Sequence, residues 1–151
     1  MTWITRRTAS IILILLLLSS VAVAACSTQS TPSESAGLVM AAMTGMPAEV
    51  KSAPPTVLQA YQFAAANPEV MNQIPCYCGC GQLGHISNYD CYVQGEDENG
   101  VITYDHHALG CSICVDITQD TMRMLRTGKT PAEIKTAIDQ TYAHYGPSTM
   151  P

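Results

Sequence analysis

The chain has 151 residues, 47% of them hydrophobic and only 13% charged, with seven cysteines and a formal net charge of −5. This composition excludes a disordered or collagen-like chain and suits one folded domain. The acidic balance also argues against nucleic acid as a partner.

The apolar residues are front-loaded. Ile11 to Leu18 is an unbroken apolar run preceded by Arg6 and Arg7 and followed by small residues, the layout of a secretory signal. The run is too short to span a bilayer as a helix, which takes about 20 residues. Val23-Ala24-Ala25-Cys26 then resembles a bacterial lipobox. That resemblance implies cleavage before Cys26, with a diacylglyceryl group on its sulfur and the protein held by lipid on the extracytoplasmic face of a bacterial membrane. An ordinary signal cut near Ala25 would instead leave Cys26 as an odd thiol. The Arg6-Arg7 pair admits twin-arginine export as well as a plain basic start. Loss of residues 1–25 removes those two arginines and leaves five basic residues against twelve acidic ones.

Residues 26–36 (CSTQSTPSESA) carry almost no apolar side chains and read as a lipidated cysteine with a flexible tether. The folded domain is expected over residues 37–151. Its first apolar stretch, Gly37 to Val50, is interrupted by Gly45 and Pro47. Met40, Met43 and Met46 recur there every third residue, as a thioether row that could take copper(I) or as one face of a helix. Pro54-Pro55 opens a helix whose face is Val57, Leu58, Tyr61, Ala64 and Ala65, and Asn67-Pro68 caps a shorter helix running through Ile74. The middle of the chain is rich in cysteine and glycine. Cys91 to Gln94 and Val101 to Tyr104, flanking Asn99-Gly100, predict a hairpin around an acidic, solvated turn, Glu96-Asp97-Glu98. After it, Ile113, Ile117, Thr121, Met124 and Leu125 mark a helix ending at Gly128. Thr130-Pro131-Ala132-Glu133 is a capping box that starts a last helix faced by Ile134, Ile138, Tyr142 and Tyr145. The fold class is therefore α+β, mainly α, with helices at both ends flanking a cysteine-rich loop and a small hairpin.

Six cysteines remain for chemistry: Cys76, Cys78 and Cys80 as C-x-C-x-C, then Cys91, then Cys111 and Cys114 as C-x-x-C. In an extended segment the first three share one face. Crowded thiolates call for a soft cation, and thiolates select copper(I), zinc or iron–sulfur clusters. Cys111 and Cys114 open a helix, where the positive end of the dipole favours the thiolate. His85 and His107 stand close enough in sequence to complete a mixed sulfur and nitrogen shell. His106 and His144 read as surface residues, and Asp90 and Asp105 as turn or helix caps. Three readings stay open: a copper(I) or zinc site, a framework of three disulfides without metal, and a thiol–disulfide exchanger acting through Cys111 or Cys114. No catalytic triad or carboxylate pair can be argued from linear spacing, so the chain is not read as an enzyme.

Ile74-Pro75-Cys76-Tyr77-Cys78-Gly79-Cys80-Gly81, Gly84-His85, Asn88-Tyr89-Asp90-Cys91 and His107-Ala108-Leu109-Gly110-Cys111-Ser112-Ile113-Cys114 together resemble the PCYCGC-motif family of bacterial lipoproteins. The resemblance runs from about residue 55 to 145. It implies lipid anchoring through Cys26 but brings no reaction and no partner with it.

Overall fold

In a computed structural model of the chain, the described residues are 37–151. The expected leader, lipidated Cys26 and tether fall outside the described residues. Six α-helices, two 3-10 turns and one hairpin follow in order: α1 (Ala48–Lys51), α2 (Pro55–Ala66), α3 (Pro68–Met71), the turns Cys80–Leu83 and Tyr89–Cys91, β1 (Val93–Glu96), β2 (Ile102–Tyr104), α4 (His107–Gly110), α5 (Ser112–Arg126) and α6 (Pro131–Tyr142). The expected mainly helical α+β architecture is what the structure shows. No helix among the described residues is long and apolar enough to cross a membrane.

Helix α5 is the spine of the fold, packing on α2 on one side and α6 on the other. Its buried face is Cys114, Val115, Ile117, Thr118, Thr121 and Met122. Sequence periodicity had put Ile113, Met124 and Leu125 on that face, but all three are only half-buried. The true face includes two threonines, which hydropathy discounts. Each satisfies its hydroxyl within the helix, Thr118 donating to the Cys114 carbonyl at 3.1 Å and Thr121 to the Ile117 carbonyl at 2.8 Å. The helix stops where Gly128 takes φ +80°, a conformation open to glycine, and its N–H closes on the Leu125 carbonyl.

Other elements follow their local chemistry. Thr130 caps α6 by accepting from the Glu133 N–H while the Glu133 carboxylate accepts from the Thr130 N–H, the full reciprocal box. Ile134, Ile138 and Tyr142 are buried, whereas Tyr145 lies beyond the helix and is exposed. In α2 the buried residues are Ala60, Tyr61, Phe63 and Ala64, so its face is turned from the predicted one, with Val57, Leu58 and Ala65 at its half-buried margin. Asn67 precedes α3 but does not cap it. Its side-chain amide donates backwards, to the carbonyls of Phe63 and Val39.

Two expectations are corrected by the loops. The first strand begins at Val93 rather than Cys91, because Tyr89–Cys91 coils into a 3-10 turn that carries the cysteine towards Cys80. The strands pair antiparallel, Val93 with Tyr104 and Glu96 with Ile102, across a bulge between Val93 and Gly95. The hairpin turn is acidic and exposed as expected. Asp97 folds it by accepting from the N–H groups of Asn99 and Val101. The methionine row, by contrast, does not lie on a helix. Residues 37–47 form no helix, Met40 and Met43 are exposed, and Met46 is buried in the core against Val50 and its neighbours.

Candidate metal centre

Cysteines and histidine arrive at the centre from separate pieces of chain. The C-x-C-x-C segment is not extended. After Cys78, Gly79 adopts φ +83° and turns the chain into the 3-10 turn that begins at Cys80. The three sulfurs nonetheless end within 4.8 Å of one another. Cys111 is the N-terminal boundary residue of α5 and Cys114 sits in its first turn, so the C-x-x-C pair opens a helix as its spacing predicts. His107 starts α4, where the Asp105 carboxylate accepts from its backbone N–H at 2.7 Å.

The packing of these donors is close. Cys76 Sγ lies 3.4 Å from Cys78 Sγ and 3.5 Å from Cys114 Sγ, and Cys78 lies 3.6 Å from Cys114. Cys80 and Cys91 are 3.7 Å apart, and His107 Nε2 is 3.3 Å from Cys78 Sγ. All six cysteines are unbridged, and the sulfur separations are far beyond the length of a disulfide bond, about 2.0 Å. They do match the edge of a tetrahedron of sulfurs around a metal ion, about 3.8 Å for metal–sulfur bonds of about 2.3 Å. Donor atoms within 4.8 Å of each other form the groups Cys78, His107, Cys111 and Cys114; Cys76, Cys78 and Cys80; Cys76, Cys91 and Cys114; and Cys80, Cys91 and His107. Each of these groups could hold a metal ion.

Seven of the eight residues singled out from the sequence thus come together, and His85 does not join the sulfurs. Its ring packs edge-on against His107, with centroids 5.3 Å apart, and its Nε2 faces Asp105 Oδ2 at 3.7 Å. His85 Nδ1 is buried without a hydrogen-bond partner. His106 is exposed beside Glu49 and His144 stacks on Tyr145, both away from the sulfurs. Asp90 caps the turn before Cys91, accepting from the N–H groups of Ile86 and Ser87.

Proton affinities in the cluster are divided rather than uniform. The Cys76 thiol is lowered to about 7, chiefly by the hydrogen bond from Cys114, and Cys80 is held far lower, again by Cys114 first and then by Cys76 and Cys91. Cys114 is pushed up because its proton is held by Cys76 and Cys80. Burial, then the charge on Cys76, pushes Cys78 up. Cys91 is pulled down by Cys114 but rises on balance through its bonds to Cys76 and Cys80. The helix terminus therefore does not make Cys114 the thiolate that its position predicts. Neighbouring sulfurs set these directions, lowering Cys76 and Cys80 and raising Cys114.

Residues the sequence did not single out hold the centre in place. Tyr92, fully buried, donates its hydroxyl to the Cys114 carbonyl at 2.8 Å with Thr118 Oγ1 beside it at 2.8 Å, and Asn88 Nδ2 donates to the same Thr118 oxygen. Thr118 stands four residues after Cys114, a helical spacing that points to this contact. The C-terminal tail contributes a second clamp: Thr149 Oγ1 accepts from the Cys76 N–H at 2.9 Å, and the Thr149 N–H donates to the Cys76 carbonyl at 3.0 Å. Gly146 permits that approach, because a Cβ there would stand 2.8 Å from the Tyr77 carbonyl oxygen. No local signal links residue 149 to residue 76.

A small helical domain that gathers six unbridged cysteines and a histidine from distant segments is a cysteine-cluster protein, with donors arranged as a metal would need them. More particularly, the chain belongs to the family described as "protein of unknown function with PCYCGC motif", which matches residues 14–151. No curated protein and no solved structure matches the chain.

Proposed function

We propose that this protein binds a soft metal ion, copper(I) or zinc, at the Cys/His cluster, and that Cys26 anchors it by lipid on the outer face of a bacterial membrane. The carrying observation is the convergence of Cys76, Cys78, Cys80, Cys91 and Cys114 with sulfur separations of 3.4 to 3.7 Å, Cys111 and His107 within 4.8 Å of Cys78 and Cys114, and no disulfide. Close unbridged thiols are costly to leave together, because ionised sulfurs repel and buried polar groups need partners. A thiophilic cation relieves both. Cys78, Cys111 and His107 are only partly buried and give an ion a way in, while Cys76, Cys80, Cys91 and Cys114 are closed off from solvent.

The lipobox-like Val23-Ala24-Ala25-Cys26 after a basic and apolar start supports the anchoring half of this reading. Two acyl chains suffice for stable attachment. For an exchanger acting through Cys114, its burial and its raised thiol are both unfavourable, since the attacking sulfur must be accessible and ionised.

The test is titration of the full chain, reduced and stripped of metal in detergent, with zinc and separately with copper(I) against a chromophoric chelator. The Cys78→Ser variant should lose at least tenfold in affinity, because Cys78 contacts Cys76, Cys114 and His107 together. An unchanged affinity would remove the C-x-C-x-C segment from the site and defeat this reading.

A further inference from the structure

Resting on that soft-metal reading, we infer that the centre is built for two metal ions that share the Cys114 sulfur, not for one. A tetrahedral ion takes four donors, and seven donors converge here. Two tetrahedra joined at one corner use seven in all. One grouping is a complete set of four, and the others overlap it, Cys78 meeting Cys76 and Cys80 and His107 meeting Cys80 and Cys91. Cys78, His107, Cys111 and Cys114 lie mutually within 4.8 Å and form one complete set of three sulfurs and a nitrogen. Cys76, Cys80 and Cys91 also lie pairwise within that distance, and Cys114 is within it of both Cys76 and Cys91. Cys114 closes on two of these three sulfurs and is not grouped with Cys80, so the second set is three sulfurs completed by Cys114 as the ion draws Cys80 in.

Cys114 is the residue common to both. Its sulfur stands nearly equidistant between the halves, 3.5 Å from Cys76 and 3.6 Å from Cys78. It is fully buried at the first turn of α5, where Asn88, Tyr92 and Thr118 fix the backbone that carries it. A thiolate with its lone pairs aimed at two sides can bridge two ions, as an imidazole nitrogen cannot.

Charge points the same way. One divalent ion in the mixed half would leave Cys76, Cys80 and Cys91 as closely spaced buried thiols with only each other for partners, including the Cys80–Cys91 pair at 3.7 Å. A second ion supplies these sulfurs with a counter-charge. The ligands are thus thiophilic cations taken in pairs, zinc or its soft congener cadmium in the tetrahedral case.

The test loads the reduced, metal-free full chain with ¹¹³Cd²⁺ and records its cadmium NMR spectrum alongside native mass spectrometry. Two cadmium ions per chain are expected, giving two resonances of equal intensity split by scalar coupling through the shared sulfur. His107→Ala should shift or broaden one resonance, that of the mixed set, and leave the other in place. Because replacing the buried Cys114 would also disturb the start of α5, the histidine variant keeps the assignment testable without it. One ion per chain would overturn the two-ion centre while leaving soft-metal binding intact. Two uncoupled resonances would overturn the shared sulfur, and failure to retain any cadmium would overturn both this inference and the reading beneath it.

Discussion

Among single residues outside the donor set, Tyr92 is fully buried and ties Cys114 to the aromatic core. Its hydroxyl bonds to the carbonyl of Cys114 and to Thr118, while its ring meets Tyr61 edge-on with centroids 5.0 Å apart. Tyr92→Phe keeps the ring contact and removes only the hydroxyl. The Cys114 carbonyl retains the Thr118 hydroxyl, so the loss should be about 1 kcal/mol, read as a lower urea midpoint at unchanged slope. A change in slope would mean that the substitution altered the compactness of the folded or unfolded chain instead. The cysteines stood out from their spacing alone, because three thiols in C-x-C-x-C must meet a metal, one another or distant partners. That of Tyr92 could not, since an aromatic beside a cysteine looks like any core residue until Cys114 is folded against it. The same limit explains His85, whose sequence distance from Cys80 suits a ligand but whose ring is turned onto His107.

For the elements, legibility followed how local each signal is. The capping box of α6 was visible because Thr130 and Glu133 act on each other within one turn. The Glu133 carboxyl is held below its ordinary 4.5 by donors on Thr130, first the backbone N–H and then the hydroxyl. A carboxyl so lowered contributes stability above the unfolded value that disappears as pH falls through the lower folded one. Glu133→Ala should therefore lower the melting temperature most at neutral pH, and the gap to the unsubstituted protein should narrow as pH drops below 4.5; a gap independent of pH would assign the effect to helix propensity alone. The faces of α2 and α5 were harder to read. Thr118 and Thr121 count as polar in any periodic pattern, and only their bonds to the preceding turn make them suitable for a core. The start of β1 was shifted for a tertiary reason: Cys91 is needed beside Cys80, and the 3-10 turn brings it there at the expense of strand.

Seen as a whole molecule, the domain uses its helices to bring a loop, a turn and a helix start to one point. α5 carries Cys114 on the face that packs between α2 and α6, and the C-terminal tail returns to hold Cys76 through Thr149. The centre therefore joins residue 76 to residue 114, and the C-terminal tail is held to it through Thr149. Metal bound to such a site stabilises the folded form by mass action, about 2.7 kcal/mol when free metal is a hundredfold above the dissociation constant. Removal of metal by a chelator should lower the melting temperature, and the shift should be smaller in Cys78→Ser. Protons must leave Cys78, Cys91 and Cys114 when metal binds, since all three thiols are raised, so binding should release protons and tighten as pH rises.

The central claim is that these cysteines hold metal rather than one another. The most direct measurement is elemental analysis of the full chain, purified anaerobically in detergent without affinity metals, together with a thiol count in denaturant before and after chelation. Bound copper or zinc, with the thiols of Cys76, Cys78, Cys80, Cys91, Cys111 and Cys114 all released on chelation, is the predicted result. Absence of metal together with absence of free thiols would mean three disulfides, and would contradict the account.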